Sequence, residues 1–169
     1  MNSFQRVWWE QARSEHAVLQ LLRSQEMRPC HQLHYLQMVT EKLAKAYLWR
    51  TGKPPPKSHA AFVAFLSAVA HRRAADRDRI ATCLGFGIGS ALEHWIPTVK
   101  PLAHALERLA PSLAGDDRPN PEYPWPREAP AVAPTAFDFT IWAVLNGTGR
   151  GRQLLKVIDA AVDRFPEYA

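Results

Sequence analysis

Cys30, His31 and His34 stand close together, residue types that hold zinc, and His31 and His34 lie one helical turn apart. A structural zinc site takes four ligands, and no second Cys/His pair stands at finger-like spacing, so no metal is expected. Cys83 or His59 would have to complete such a set from elsewhere in the chain. Two glycine-rich turns, GFGIGS (85–90) and NGTGRGRQ (146–153), have the composition of an anion cradle. Backbone N–H groups at a helix start attract phosphate, and glycine allows close approach. The first turn does not fit a dinucleotide fingerprint, because no strand precedes it. The second adds Arg150 and Arg152, which can grip phosphate as a fork, but it lacks the GK[ST] ending of a P-loop. A flexible basic connector is the plainer reading of that turn. Lys53 and Lys57 flank a run of three prolines, His59 follows Ser58 just beyond it, and Arg72, Arg73, Arg77 and Arg79 cluster around two acids. These cations suit phosphate, although basic solvated faces are also ordinary in helical proteins.

The elements that must position these residues read as helices. Leu36, Val39, Leu43, Ala46 and Tyr47 recur at spacings of three, four and seven, a buried helical stripe. Glu41, Lys42 and Lys45 fall between them, with Glu41 and Lys45 spaced as a surface pair. Gly52 suits the position just past that helix, and Pro54, Pro55 and Pro56 forbid continuation. Ser58 then caps a helix over about 58–73, with Phe62, Phe65, Leu66 and Val69 on one face. Upstream, a first helix over 3–23 takes Val7, Trp8, Ala12, Ala17, Val18, Leu21 and Leu22 as its apolar side. Trp8 and Trp9 cannot share a face, so one of them meets a partner subunit or the C-terminal segment. Downstream, 74–79 reads as a charged hinge, and a helix over 90–113 is kinked or divided at Pro97 and Pro101. A proline-dense, irregular connection occupies about 115–134, where Tyr123, Trp125 and Val132 suggest packing. Thr135 caps a short helix to Leu145, and Thr148 or the glycines after it open the last helix, 153–165. Almost no alternating pattern is present. The expectation is one all-α domain over residues 1–169, a helical bundle with the proline-rich loop before its last two helices.

The order Glu41-Lys42-Leu43-Ala44-Lys45-Ala46, then Gly52, Pro55, Pro56, Ser58 and His59, resembles the HEPN family (higher eukaryotes and prokaryotes nucleotide-binding). These small all-helical domains often carry EKALKALL on a core helix, followed by a Pro-rich turn and a Thr/Ser-His pair. Glu122-Tyr123-Pro124-Trp125 is a looser echo of the family's Arg-Tyr-Pro turn, without the Arg. The likeness covers residues 14–70 well and 120–165 loosely. It implies an up-and-down bundle acting as a homodimer or with a neighbouring-gene protein subunit, in bacterial defence or toxin–antitoxin-type systems, with RNA or nucleotide as possible ligand. Many members are metal-independent endoribonucleases using an Arg, four to six residues, then a His: the His transfers protons with the 2′-hydroxyl while the Arg steadies phosphate charge. Only Arg28 and His34 have that spacing here, at the start of the second helix, and the last helix has no His. The resemblance therefore implies a non-catalytic interaction module, the Arg28/His34 ribonuclease being the alternative. Lys53, Lys57, His59, Arg150 and Arg152 are the candidate contacts to nucleotide or RNA phosphate.

Composition bounds these readings. At 169 residues, with 47% hydrophobic residues and six Trp, the chain can bury a proper core. No apolar run approaches the ~20 residues of a membrane span, and MNSFQRVWWEQARSEH lacks the features of a secretory signal. With two cysteines far apart, free thiols and a cytoplasmic location are the expectation. The net charge of +5 permits nucleic acid without requiring it. Nothing in the sequence implies a cofactor.

Overall fold

Leu36, Val39, Leu43, Ala46 and Tyr47 are all sealed from solvent, and the helix that carries them, α2 (Pro29–Leu48), touches most of the other elements. The structure, a computed structural model, describes residues 1–55, 59–115, 117–126 and 130–169. Ahead of α2 runs α1 (Ser3–Ser24), begun by a capping box in which Asn2 and Gln5 exchange side chain-to-backbone bonds. A short turn joins the two, so they pack along their length as neighbours. After α2 a 3₁₀ turn (Trp49–Thr51) ends at Gly52, whose φ of 72° is left-handed, a conformation glycine adopts without strain.

Beyond the proline corner, α3 (Phe62–Ala70) packs back on α2: the Tyr47 and Phe65 rings meet edge to face at 5.0 Å. This helix begins at Phe62, later than the periodicity indicates, and Ser58 lies outside the described residues. No local side chain caps it. Instead Glu107, far away in sequence, accepts the Val63 N–H at 2.8 Å. Phe62, Phe65, Leu66 and Val69 are buried, as their spacing predicts.

The charged stretch after residue 73 is a helix, not a hinge: α4 (Ala74–Cys83). Its buried residues, Ile80, Ala81 and Cys83, are gathered at one end, which hides helical periodicity. Next comes α5 (Gly89–Glu107), unbroken, with Pro97 and Pro101 exposed on its outer face while Leu92, Ile96, Val99 and Ala103 face the core. One turn, α6 (Pro111–Ala114), leads into the proline-rich connection. There Trp125 is buried against Phe137, edge to face at 5.1 Å, but Tyr123 and Val132 are exposed. Asn120 is the buried polar residue, its side-chain oxygen accepting the N–H groups of Glu122 and Tyr123. The chain ends with α7 (Thr140–Gly147), α8 (Gly149–Asp163) and α9 (Phe165–Tyr168). Thr148 caps α8, which starts four residues earlier than expected; α7 starts at Thr140, after a 3₁₀ turn holding Thr135.

The fold is all-α. The long helices α1, α2, α5 and α8 close around one core, α1 and α5 each touching α2 and α8. Among the described residues the β content is a single bridge, Trp125 with Val132, and no helix is long and apolar enough to cross a membrane. Trp9 is the tryptophan that meets the C-terminal segment: its indole donates to Val162 O at 2.8 Å and its ring stacks on Phe165. Trp8 instead lies beneath the Lys45 ammonium, 5.2 Å from the ring centroid.

One expectation for α1 is overturned. Val7 and Leu21 are 56% and 60% exposed, whereas Glu15 and His16 face inward with Ala12 and Leu19. The reason is partnership. Glu15 takes a hydrogen bond from Lys42 of α2, and His16 Nε2 lies 2.7 Å from Asp159 Oδ1 of α8. Polar residues can occupy a core-facing stripe when their partners sit on the facing helices.

Candidate functional site

Glu41, Lys45 and His59, three residues of the motif that carries the family resemblance, come together at the proline corner. Glu41 and Lys45 are one turn apart on α2, and His59 is brought over them by the chain leaving the corner. Glu41 is only 7% exposed. Its Oε1 accepts from Lys45 Nζ at 2.5 Å, and its Oε2 takes His59 Nδ1 at 2.6 Å and Gln37 Nε2 at 3.2 Å. Burial pushes its carboxyl up, but the hydrogen bonds and charges of Lys45 and His59 outweigh that and hold it below the usual carboxylate range. The expected surface pair is thus a buried one, with the Lys45 side chain 12% exposed. His59 is different: 44% of its side chain is at the surface. A carboxylate on one ring nitrogen orients the imidazole and leaves the ring edge free to meet a phosphate or relay a proton. Both Glu41 oxygens carry hydrogen bonds, three in all, so Glu41 serves to position His59.

Lys53, also at this corner, is exposed. Lys57 lies outside the described residues.

Arg28 is exposed and precedes α2 as its N-cap, without a side-chain cap bond. His34, a turn and a half along, turns to the proline-rich connection, its Nδ1 3.3 Å from Glu122 Oε1 and its ring edge-on to Tyr35. Cys30 is buried and His31 exposed, so these two do not face one point. Among the described residues no group of three His, Cys, Asp or Glu side chains is gathered to hold a metal.

The second glycine-rich turn is explained by helix packing. A Cβ on Gly151 would stand 2.3 Å from Val144 O and 2.6 Å from Leu145 Cα, so this glycine lets α8 cross the backbone of α7. Its N–H goes to Thr148 Oγ1. Arg152 donates through one terminal nitrogen to Asn146 O and Gly147 O, closing the end of α7. Arg150 opens on a different groove, beside Thr98 and Leu102, from Arg152, which lines one with Lys156 and Gly85. The two arginines do not make one fork. The first turn follows the same logic. Asp78 accepts the Gly89 N–H at 2.7 Å, and a Cβ there would strike that carboxylate at 2.6 Å.

Spacing did not reveal the long-range ion pairs. Asp159 is held below its usual range, the bonds and charges of His16 and Arg23 overcoming the upward push of burial. Burial raises Glu107 and wins over the backbone N–H groups of Val63 and Phe62 and the charge of His104. No protein-family model matches the chain, nor does any curated protein or any solved structure.

Proposed function

We propose that the chain is a HEPN-like helical interaction module, non-catalytic, which acts as a homodimer or as accessory subunit of a bacterial defence or toxin–antitoxin-type system and contacts the phosphates of RNA or nucleotide at its proline corner. The observation that supports this most is the Glu41–His59 contact: a buried carboxylate fixes a half-exposed imidazole in the stretch of chain that also carries exposed Lys53. That arrangement presents an oriented ring nitrogen and the Lys53 ammonium to an anion. The non-catalytic side of the reading rests on the placement of Arg28, exposed ahead of α2, and of His34, turned toward Glu122: among the described residues no contact joins the two.

The test is a binding titration with single-stranded RNA at several salt concentrations. Lys53→Ala should weaken binding and lower the slope of log affinity against log salt by about one, and His59→Ala should weaken it further. Unchanged affinity in both variants overturns the corner as the contact. Incubation of wild type and His34→Ala with labelled RNA in chelator examines the alternative. Cleavage by wild type that His34→Ala loses replaces the module with a metal-independent ribonuclease using Arg28 and His34.

A further inference from the structure

Tyr47 poses a problem of its own. It is 1% exposed, and its hydroxyl is sealed from solvent without a hydrogen-bond partner among the described residues. A buried, unsatisfied hydroxyl costs about 1–3 kcal/mol, so its persistence calls for an explanation such as an enclosed water, an ion or a ligand. Its surroundings are cationic. Arg50 lies over the ring, 4.1 Å from the centroid, and donates to Tyr47 O. Arg72, Asp76 and Arg79, which share a face across the start of α4, are all close enough to act on the hydroxyl electrostatically. Burial raises this phenol above its usual value, while the three arginines pull the other way. Of these arginines only Arg72 has a carboxylate partner among the described residues, Asp76 at 2.8 Å, and Arg72 Nε is itself buried and unpartnered. The floor is sealed, but Arg50 and Arg72 are half-buried and Arg79 is exposed, so the rim reaches the surface. The first turn of α4 has no side-chain cap to compete for an anion there.

We propose that this elbow binds a phosphate monoester, the terminal phosphate of a nucleotide or of a 5′-phosphorylated RNA, with Tyr47 Oη and the guanidinium groups of Arg50, Arg72 and Arg79 as donors. The charge selects the class. Three guanidinium groups against one carboxylate leave two positive charges around the hydroxyl, which match a dianionic monoester and exceed what a singly charged diester neutralises. Guanidinium forks suit phosphate oxygens, and a hydroxyl donor to a charged oxygen makes a short, strong bond. The elbow shares no residue with the Lys53–His59 corner, so the two readings stand or fall separately.

Calorimetric titration of the whole chain in phosphate-free buffer tests it. The probes are inorganic phosphate, adenosine 5′-monophosphate against adenosine, and a ten-nucleotide RNA with a 5′-phosphate against the same RNA with a 5′-hydroxyl. Phosphorylated probes should bind about tenfold more tightly than their hydroxyl counterparts. A preference seen for the mononucleotide alone assigns the site to free nucleotides, and one seen for the RNA pair assigns it to RNA ends. Tyr47→Phe keeps the ring and its packing, and Arg79→Gln changes an exposed side chain, so both should fold as wild type by circular dichroism. Each should reduce the preference about tenfold. No preference in wild type overturns the site, as does a preference that both variants keep. His59→Ala should leave the 5′-phosphate preference intact, which separates failure here from failure at the corner.

Discussion

Two charged regions of this protein are built on opposite terms. Along the seam between α1, α2 and α8, Glu15, Glu41 and Asp159 are each matched by cations or histidines on a facing element or one turn away. At the elbow between α3 and α4, arginines outnumber acids around Tyr47; buried atoms without a partner among the described residues occur in both regions, Tyr47 Oη and Arg72 Nε here, Glu15 Oε2 and Arg23 Nη2 in the seam. Charge matched pair by pair holds a structure in register; cations in excess of acids are where an anion from outside belongs. Severing the seam should therefore hurt folding. Glu41→Ala leaves Lys45, Gln37 and His59 facing a void and should cost about 3 kcal/mol in urea unfolding at pH 7. A cost below about 1 kcal/mol would mean that water satisfies these groups and that the seam is looser than its distances indicate.

Two buried carboxylates of opposite tuning sharpen the contrast. Glu41 is held below the ordinary glutamate value of 4.5, so its stabilisation is present above that pH and is lost as pH falls through its lowered folded value. Glu107 is raised above the same 4.5, so its ionisation opposes folding, and its contribution is largest below 4.5 and fades as pH rises through its folded value. Glu41→Gln should be about 1–2 kcal/mol less stable than wild type at pH 7, with the gap closing below pH 4.5. Glu107→Gln keeps an oxygen for the Val63 N–H and should match or exceed wild type at pH 7, its relative standing declining toward pH 4.5. Parallel pH profiles for the two variants would remove the distinction.

Much of this architecture was legible from residue spacing. The stripes of α2 and α3 and the left-handed Gly52 follow from local rules that need no partner. What spacing cannot carry is partnership across the chain. Glu15 and His16 read as outward because they are polar, yet they face in because Lys42 and Asp159 wait on other helices. The cap of α3 is Glu107, forty-four residues away. The turn at Gly151 read as a flexible basic connector, with an anion cradle as the alternative, because glycine says only that a close approach is possible, not that the α7 backbone makes it. At the corner, Glu41 and His59 were both visible as motif residues, but not as a contact.

The elbow predicts the reverse of the seam under substitution. Tyr47→Phe deletes a hydroxyl that has no partner among the described residues and should raise stability by about 0.5–1 kcal/mol in phosphate-free buffer. A loss of similar size would show that the hydroxyl already has a partner, and the elbow would then resemble the seam.

The smallest expected effect tests the seam from outside. Because α1 turns Glu15 and His16 inward, it leaves Leu21 on the outer face at 60% exposure, while Leu19, two residues earlier, is sealed. Leu21→Gln should change stability by less than about 0.5 kcal/mol, against about 3 kcal/mol for Leu19→Ala. Apolar periodicity read without partners assigns Leu21 to the core, and that reading requires a cost for Leu21→Gln comparable to that of Leu19→Ala. A near-silent Leu21→Gln beside a damaging Leu19→Ala places α1 in the rotation that lets Glu15 reach Lys42 and His16 reach Asp159. Equal damage from both would mean that Leu21 is covered in solution.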